Sequence, residues 1–528
     1  MRKPIIVTRR RLLATSASAA AMTALGGVAM PFISRASDRP LVTHGVQSGD
    51  VDMDSGVIWA RTDRPARMQV EIATTDTFRD VRQGVFVDAL PQSDFTAKAL
   101  LDDLPAGQDI FYRIRFQDHS APAIMSEPVV GRFRTASRER RNVSFVWGGD
   151  VGGQGWGIDE ARGGMRTFAT MLANRPDFFI HSGDTIYADG ILRPEVKLED
   201  GTVWRNVVTE PMTKNAETLD EFRGHYKYNL TDRNVLAMNA AVPTFAQWDD
   251  HEVTNNWWPL EPIGRGEHQR KKYTDKNMLA LAARGARAFH EYMPIRATPA
   301  EPARVYRKLA YGPLLDVIML DTRSYRGPNA ENMEETYGPS AYYFGPQQMA
   351  WCKRVLKASQ AEWRVIACDM PLVLPRRYDA DLGGQESLAQ GDNGRPRGRE
   401  HELADILSFL KRERIRNVIW VTADVHYAAA HYFDPNKAAF QDFEPFWEFV
   451  AGPLNAGTGR PIRPDATFGP EVVFSKGVPP GSSVNHGPSY GMQFFGHVAI
   501  EAGGVMTVSL KDAGDTVLWS RRLEPRRG

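Results

Sequence analysis

The stretch Phe179-Ile-His-Ser-Gly-Asp-Thr-Ile-Tyr-Ala-Asp-Gly190 decides the fold of this 528-residue chain. It continues a short apolar run, Pro176-Asp-Phe-Phe-Ile180, which is typical of a buried strand in an α/β sheet. The strand stops where Gly183 permits a tight turn, so the Asp184 carboxylate is presented at the strand's carboxyl end, where open α/β sheets bind ligands. Asp184 and Tyr187 are therefore candidate hard-oxygen metal ligands, although a plain Gly-Asp turn would give the same pattern.

Three further predicted strands end in a similar way. They run into Gly149-Asp150, Asp249-Asp-His-Glu252 and Asp424-Val-His426. Because strand ends of an α/β fold meet at one edge, we expect these side chains to converge. Many buried carboxylates in one place are costly unless cations offset their charge. The oxygen-rich donor set with histidine and tyrosine excludes a thiolate zinc site and favours iron, manganese, calcium or magnesium, with zinc possible.

Residues 1–36 have the pattern of an export signal. A twin arginine at Arg9-Arg10 precedes a mildly apolar stretch, Ala14 to Met30, and Ser34-Arg-Ala36 offers a cleavage site. We predict a twin-arginine signal peptide, hence the twin-arginine export machinery as a partner and a periplasmic or secreted location. A generic secretory signal or a membrane anchor is the alternative, but the stretch is too rich in glycine and serine for a good bilayer span.

The charge balance excludes two classes of partner. The first 36 residues hold six of the 65 basic residues and no acidic one, so the remainder has 59 basic against 64 acidic residues, a formal charge of −5. This balance gives no footprint for nucleic acid or an anionic membrane surface. No later stretch approaches the length of a transmembrane helix, and we expect a monomer. The sequence leaves open whether Cys352 and Cys368 pair.

The pattern of apolar residues divides the chain into two domains. Residues 41–137 alternate apolar and polar side chains with period 2, which predicts an all-β sandwich. Residues 142–528 alternate strands with helices, which predicts an α/β layer fold that carries the catalytic groups. Helices are predicted at 165–174, 219–228, 277–292, 347–357 and 400–414, and edge strands at 496–523. The polar segment 376–399 is predicted to be a mobile loop.

The segment Asp249-Asp-His-Glu-Val-Thr-Asn-Asn256 resembles the DDHExxNN signature of the PhoD family of alkaline phosphatases and phosphodiesterases, within the metallophosphatase superfamily. The GDxG and GDxxY motifs, Asp424-Val-His and the N-terminal segments at 45–51 and 57–61 are also similar to that family. The resemblance covers nearly the whole chain. It implies a four-layer metallophosphatase-like α/β sandwich preceded by a fibronectin-like β-sandwich.

The resemblance also implies roles for single residues. Asp184 would bridge two metals, and Tyr187 and His426 would bind ferric iron. Asp424 and Asn256 would hold the second ion, calcium, with Asp249 at a nearby metal position; the choice between Asn255 and Asn256 stays open. At the first motif the family has a cysteine iron ligand, whereas this chain has Asp150, in a GDxG arrangement closer to purple acid phosphatases. Fe(3+) and Ca(2+) are therefore expected, with Mn, Zn or Mg as alternatives.

Two further residues are candidates for substrate chemistry. His251 is either a general acid toward the leaving group or a hydrogen-bond partner behind the ligands. Arg323 either contacts the substrate or belongs to a local turn at the end of a strand. Arg395, Arg397 and Arg399 offer phosphate contacts or form a solvated loop.

These features predict an exported metal-dependent phosphoesterase that hydrolyses phosphomonoesters, phosphodiesters or both by a metal-bound hydroxide, similar to alkaline phosphatase D. One alternative is a phospholipase D-like phosphodiesterase that acts on lipid headgroups or wall polymers. An alternative of another class is a non-catalytic exported binding protein with structural metals. The calcium-binding C-terminal helix of the PhoD family has no counterpart in the strand-like end of this sequence, so we expect a more open site.

Overall fold

The computed structural model describes residues 39–379 and 382–527, so the predicted signal peptide lies outside the described residues. From residue 39 to 137 the chain forms seven strands: β1 (Val42–Gly49), β2 (Gly56–Thr62), β3 (Ala66–Ala73), β4 (Arg82–Ala89), β5 (Thr96–Leu101), β6 (Asp109–Asp118) and β7 (Val129–Arg134). Buried and more exposed side chains alternate along β6, as expected for a strand with one face in a core. The strand orders β1-β2-β5 and β4-β3-β6-β7 form the predicted fibronectin-like sandwich.

The first of these sheets does not end within the sandwich. β1 pairs in parallel with a strand of the second segment, with Gly49 opposite Thr244. The junction is reinforced by Arg307, whose guanidinium donates to both Asp50 carboxylate oxygens at 2.6 and 2.7 Å in a buried ion pair. The predicted domain boundary at residues 137–142 lies between strands, but the β1–β12 pairing joins the segments on its two sides into one sheet.

The second segment contains the remaining strands and all the described helices. The strands are β8 (Val143–Gly148), β9 (Phe178–Ser182), β10 (Glu195–Lys197), β11 (Val203–Arg205), β12 (Thr244–Gln247), β13 (Arg307–Ala310), β14 (Leu315–Met319), β15 (Trp363–Ala367), β16 (Arg377–Asp379), β17 (Gly383–Gln385), β18 (Val418–Thr422), β19 (Ala428–Phe433), β20 (Phe446–Val450), β21 (Pro470–Lys476), β22 (Phe494–Ile500), β23 (Met506–Asp512) and β24 (Val517–Leu523). The helices are α1 (Arg166–Ala173), α2 (Leu219–Asn229), α3 (Arg233–Ala241), α4 (Gly266–Arg270), α5 (Met278–Tyr292), α6 (Pro346–Ala358) and α7 (Glu400–Arg412).

Four layers result from this order. A nine-stranded sheet, β24-β23-β22-β8-β9-β12-β1-β2-β5, packs on a seven-stranded sheet, β13-β14-β15-β18-β20-β19-β21. One buried core joins the sheets, with Phe145, Phe178 and Phe245 from the first and Val365 and Val421 from the second. A second core packs α1, α2, α3 and α5 on the nine-stranded sheet, and a third packs α6 and α7 on the seven-stranded sheet. The predicted four-layer α/β sandwich is confirmed.

The five predicted helices are observed, each within two residues of its predicted ends. Local signals explain several boundaries: a capping box of Thr218 and Glu221 opens α2, and the side chains of Asp232 and Asn277 cap α3 and α5. Of the strands predicted at 496–523 to lie at an edge, β24 ends the nine-stranded sheet, whereas β22 and β23 are paired on both sides and lie inside it. No helix in the described ranges is long and apolar enough to cross a membrane.

The two cysteines are free thiols. Cys352 lies on α6 and Cys368 follows β15, and both side chains are buried in the core between these elements. Burial raises the pKa of the Cys352 thiol to about 12, so it packs as a small apolar group.

Candidate metal centre

The predicted strand ends come from both sheets, since β8, β9 and β12 belong to the nine-stranded sheet and β18, which Asp424 and His426 follow, belongs to the seven-stranded sheet. β8, β9 and β12 are parallel neighbours, so the residues that follow them lie side by side. The ligand atoms of Asp150, Asp184 and His426 all lie within 4.8 Å of one another, and so do those of Asp184, Asp250 and His251. Asp184 belongs to both groups and therefore occupies the position that a carboxylate shared by two ions would need.

The backbone at these strand ends adopts an uncommon conformation. Left-handed φ angles occur at five of the candidate residues: Asp150 (68°), Asp184 (49°), Asn256 (57°), Asp424 (60°) and His426 (59°). Residues other than glycine seldom occupy this region, and such residues cluster at functional sites where the surrounding structure holds them in place. Gly183 is required for a further reason, because a Cβ there would lie 2.5 Å from the Asp249 Cβ.

Tyr187 and His426 meet as two ligands of one ion would. The Tyr187 hydroxyl lies 2.8 Å from His426 Nε2, and both side chains are buried. His426 Nδ1 lies 2.6 Å from the carbonyl of Gly457, which assigns the proton to Nδ1 and leaves the Nε2 lone pair available. Burial lowers the pKa of His426 to about 3, so the imidazole is neutral, as a metal ligand must be. Gly153 allows the glycine-rich loop to cross the Tyr187 ring, since a Cβ there would lie 2.3 Å from it.

Charged groups of the protein balance the carboxylates of the centre only in part. Among the described residues, neither carboxylate oxygen of Asp150 has a hydrogen-bond partner, nor do Asp250 Oδ1 and Asp424 Oδ2. Burial raises the pKa of Asp150 and of Asp184 well above the usual range, and it raises that of Asp424 to about 7. Unpaired carboxylate oxygens beside a phenol and a neutral imidazole fit hard cations, which would supply the missing charge.

Asp249 lies outside both groups of ligand atoms. Its Oδ1 accepts a hydrogen bond from Arg323 Nε at 2.6 Å. Its neighbour Asp250 takes the place in the second group, and Asp250 Oδ2 accepts a hydrogen bond from the Asn256 backbone N–H at 2.6 Å. Arg323 is fully buried and also pairs with Glu386 at 2.6 Å, so its guanidinium is committed to carboxylates of the protein.

The two asparagines that the sequence could not separate have different surroundings. The Asn256 side-chain nitrogen donates a hydrogen bond to the Tyr378 carbonyl at 2.9 Å, which fixes the orientation of the side-chain amide. The Asn255 backbone N–H donates to the Asp189 carboxylate at 2.6 Å. Both asparagines thus tie the loop after β12 in place.

His251 is paired with Asp189, an acid that is not among the residues predicted from the sequence to form the site. Its Nδ1 lies 2.5 Å from Asp189 Oδ1, and Lys271 pairs with the other oxygen of this buried carboxylate. Burial lowers the pKa of His251, but Asp189, Asp250 and Asp184 outweigh it and the pKa rises well above the usual range. The structure therefore favours a charged imidazolium, whose ring centroid lies 4.1 Å from that of Tyr187. The available signal for Asp189 was its position in the opening stretch, five residues after Asp184.

Known proteins share this architecture. The family model for PhoD-like phosphatases matches residues 145–509, and the model for the PhoD-like phosphatase N-terminal domain matches residues 27–137. Alkaline phosphatase D of Bacillus subtilis (strain 168) is 27% identical over 438 residues, which cover 79% of this chain and 69% of that protein.

Two solved structures share the fold. The structure of PhoD has a TM-score of 0.66 at 20% identity and covers 92% of each chain. A purple acid phosphatase from yellow lupin (Lupinus luteus) seeds has a TM-score of 0.54 at 11% identity, over 92% of this chain and 74% of that one. With the family model spanning most of its length, this chain belongs to the PhoD-like phosphatase family.

Proposed function

We propose that this phosphatase is an exported metal-dependent enzyme that hydrolyses phosphomonoesters, phosphodiesters or both. Family membership makes the chain a phosphoric ester hydrolase. The observation that carries the finer proposal is the convergence of buried, unpaired carboxylates around Asp184, because such a cluster is stable as anions only with bound cations. A binding protein with structural metals would have no use for so many strand-end carboxylates, so that alternative is set aside.

We assign the ligands to two ions. Asp150, Asp184, Tyr187 and His426 would hold the first, ferric iron, because carboxylate and phenolate are hard donors. Asp184 and Asp250, whose ligand atoms lie in one group, would hold the second, calcium, through oxygen atoms. Asn256 and Asp424 lie outside that group, and we assign them to the same ion on the family resemblance. Asp249 remains the alternative to Asp250, and Mn, Zn or Mg are the alternative ions. A bound metal pair would supply an activated water and neutralise charge that develops on the phosphate.

The imidazolium of His251 is placed to act on the leaving group. Asp189 fixes the ring through Nδ1, so the proton on Nε2 points toward the ligand cluster, where Nε2 lies 3.8 Å from Asp250 Oδ1. Donation of this proton to the departing oxygen would matter most for poor leaving groups. We therefore expect His251→Gln to slow alkyl phosphate hydrolysis more than p-nitrophenyl phosphate hydrolysis; equal slowing would assign His251 to ligand support.

The export part of the proposal rests on the twin arginine at Arg9-Arg10, which lies outside the described residues. We infer a periplasmic or secreted enzyme that leaves the cell already folded. Blocking twin-arginine transport should retain the longer, uncleaved chain inside the cell, whereas continued export would contradict this route.

The substitution Asp184→Asn tests the site. It removes the shared carboxylate, so we expect metal content to fall and hydrolysis of p-nitrophenyl phosphate and bis(p-nitrophenyl) phosphate to drop by about 10³-fold. Asp200→Asn, at an exposed position between β10 and β11, is the matched control and should leave both unchanged. Undiminished hydrolysis by Asp184→Asn would refute the site.

Elemental analysis with a visible spectrum tests the metal assignment. Iron with a broad phenolate-to-iron absorption, lost in Tyr187→Phe, supports Tyr187 as an iron ligand, and calcium beside it supports the second site. Two zinc or manganese ions without that absorption would refute the iron assignment.

A further inference from the structure

We propose that Arg376 binds the phosphate group of the substrate from the rim of the metal centre. The inference rests on the proposed function and names a residue for which no sequence motif gave a signal. Three arginines from the loops around the centre, Arg323, Arg376 and Arg399, differ in how their donors are used.

Two of these arginines are committed to the protein. Arg323 is fully buried and forms ion pairs with Asp249 and Glu386 at 2.5 and 2.6 Å. Arg399 is 1% exposed, and its guanidinium donates to four backbone carbonyls, including those of Glu386 and Ser387 at 2.9 and 3.0 Å. Arg323 has no exposed surface that a ligand could reach, and the guanidinium of Arg399 is surrounded by backbone carbonyls. Arg395, Arg397 and Arg399 are the phosphate candidates predicted from the sequence, and for Arg399 the structure gives a purely internal role.

Arg376 is different because its donors face the centre without an acceptor. Its side chain is 36% exposed, and within the described ranges its closest ionic partner is Asp424, with Nε 4.0 Å from Oδ2. This distance is too long for a hydrogen bond. Among the described residues, no hydrogen bond from its guanidinium is found, so the planar set of donors is open to solvent and to a ligand beside Asp424.

The backbone of Arg376 is held firmly, so the open donors are a built feature. Its N–H donates to Ser387 Oγ and its carbonyl accepts from the Glu386 N–H, both at 2.8 Å. The carbonyls of Glu386 and Ser387 in turn accept hydrogen bonds from the Arg399 guanidinium. Arg399 thus acts as a positioning residue that fixes the segment, and the segment fixes Arg376.

The electrostatic surroundings keep this arginine charged and aimed at the centre. Burial lowers the pKa of Arg376, but Asp424, Glu386 and Asp250 raise it by more. Its Nε lies 4.0 Å from Oδ2 of Asp424, a proposed ligand of the second ion. A guanidinium fork matches two oxygens of a phosphate in a bidentate hydrogen bond. A monoester dianion carries one more charge than a diester, so Arg376 should favour monoesters.

The test compares Arg376→Gln and Arg376→Lys with Arg377→Gln, an exposed neighbour on β16 that serves as the matched control. With metal content verified, we expect Arg376→Gln to raise the inhibition constant of inorganic phosphate and the KM for p-nitrophenyl phosphate about 10- to 100-fold, as loss of charged hydrogen bonds predicts. The rise in KM for bis(p-nitrophenyl) phosphate should be smaller. Arg376→Lys, which keeps the charge but not the fork, should fall between, and Arg377→Gln should match the wild type.

A second readout does not depend on turnover. Inorganic phosphate should raise the Tm of the metal-loaded wild type and of Arg377→Gln, and should raise that of Arg376→Gln much less. A metal-loaded Arg376→Gln with wild-type phosphate inhibition and wild-type Tm shift would overturn the proposal. So would a variant whose only defect is metal loss, which would reduce Arg376 to a counter-charge for Asp424. If the proposed hydrolysis itself fails, the wild type shows no turnover, whereas the phosphate-dependent Tm shift still reports on Arg376.

Discussion

Two groups of buried carboxylates lie side by side and differ in what balances their charge. The metal-facing acids are Asp150, Asp184 and Asp250, and the arginine-paired acids are Asp249, Asp369 and Glu386. Arg323 contacts the second group, at 2.5 Å from Asp249, 3.8 Å from Asp369 and 2.6 Å from Glu386, and of the first group it reaches Asp250 at 3.8 Å.

The source of the balancing charge indicates which of the two groups needs an external cation. A buried charge is tolerated when a partner of opposite sign is present, and the protein supplies one to the arginine-paired acids. Among the described residues, both oxygens of Asp150 and Oδ1 of Asp250 lack a hydrogen-bond partner, but so do Asp249 Oδ2 and Glu386 Oε2. The two groups therefore differ in how closely Arg323 approaches them, and we propose that cations bind at the metal-facing acids.

The largest expected effect is the difference in metal content and activity between variants of the neighbouring residues Asp249 and Asp250. We expect Asp250→Asn to lose bound metal and about 10³-fold in kcat/KM, because an amide replaces an anionic ligand. Asp249→Asn should keep its metal while the protein becomes less stable, because Arg323 loses a charged partner. Metal analysis and steady-state kinetics on both variants check this; metal loss in Asp249→Asn alone would exchange the two assignments.

The second test removes the counter-charge. Arg323→Leu leaves several carboxylates buried without a cation, so the free energy of unfolding should fall by about 3–5 kcal/mol. Urea unfolding measures the loss. Arg323→Lys, which keeps the charge, should lose less, and equal losses would indicate that packing rather than charge is responsible.

Metal removal tests how far the metal-facing acids, Asp150, Asp184 and Asp250, depend on bound cations for stability. Chelation should lower the free energy of unfolding by about 3 kcal/mol, as expected for loss of a ligand bound well above its dissociation constant. In the metal-free protein burial raises the pKa of Asp424 to about 7, and it raises the pKa of Asp150 and of Asp184 well above the usual range. At these three carboxyls the folded state then binds more protons than the unfolded state, so their contribution to stability is greatest below about pH 4 and is lost as the pH rises through 7. Urea midpoints of chelated protein at pH 5 and 8 test the sign, and a higher midpoint at pH 8 would contradict it.

The smallest effect concerns a buried acid away from the centre. Glu400 opens α7, and burial raises its pKa to about 9. The folded form is therefore protonated between about pH 4.5 and 9, where the unfolded form is ionised, and its contribution to stability falls as the pH rises. In metal-loaded protein, Glu400→Gln should gain roughly 1–2 kcal/mol relative to the wild type between pH 5 and 9. A pH-independent difference between the two would show that Glu400 is ionised in the fold.

The fold and the position of the site are easier to predict from the sequence than the individual metal ligands. Strand-end Asp150, Asp184 and Asp424 were predictable, because periodicity locates the strands and topology brings their ends together. Of the adjacent pair, the sequence prediction names Asp249 as the ligand and not Asp250. The contact that distinguishes them in the structure, Arg323 with Asp249, joins residues 74 positions apart. Arg376 was equally hidden, because its role depends on which other arginines of the loop are already used by the protein. Local pattern does not encode such long-range pairing.

The parallel pairing of β1 with β12 has a consequence for anyone who trims this protein. The sequence suggests that the N-terminal sandwich is a separate, removable domain. Deleting it would remove β1, so β12, now an inner strand of the nine-stranded sheet, would become an exposed edge strand. Open strand edges invite pairing with other chains. A shortened catalytic segment that begins near residue 142 should therefore form aggregates or swapped assemblies, and useful truncations will retain the chain from about residue 39 onward.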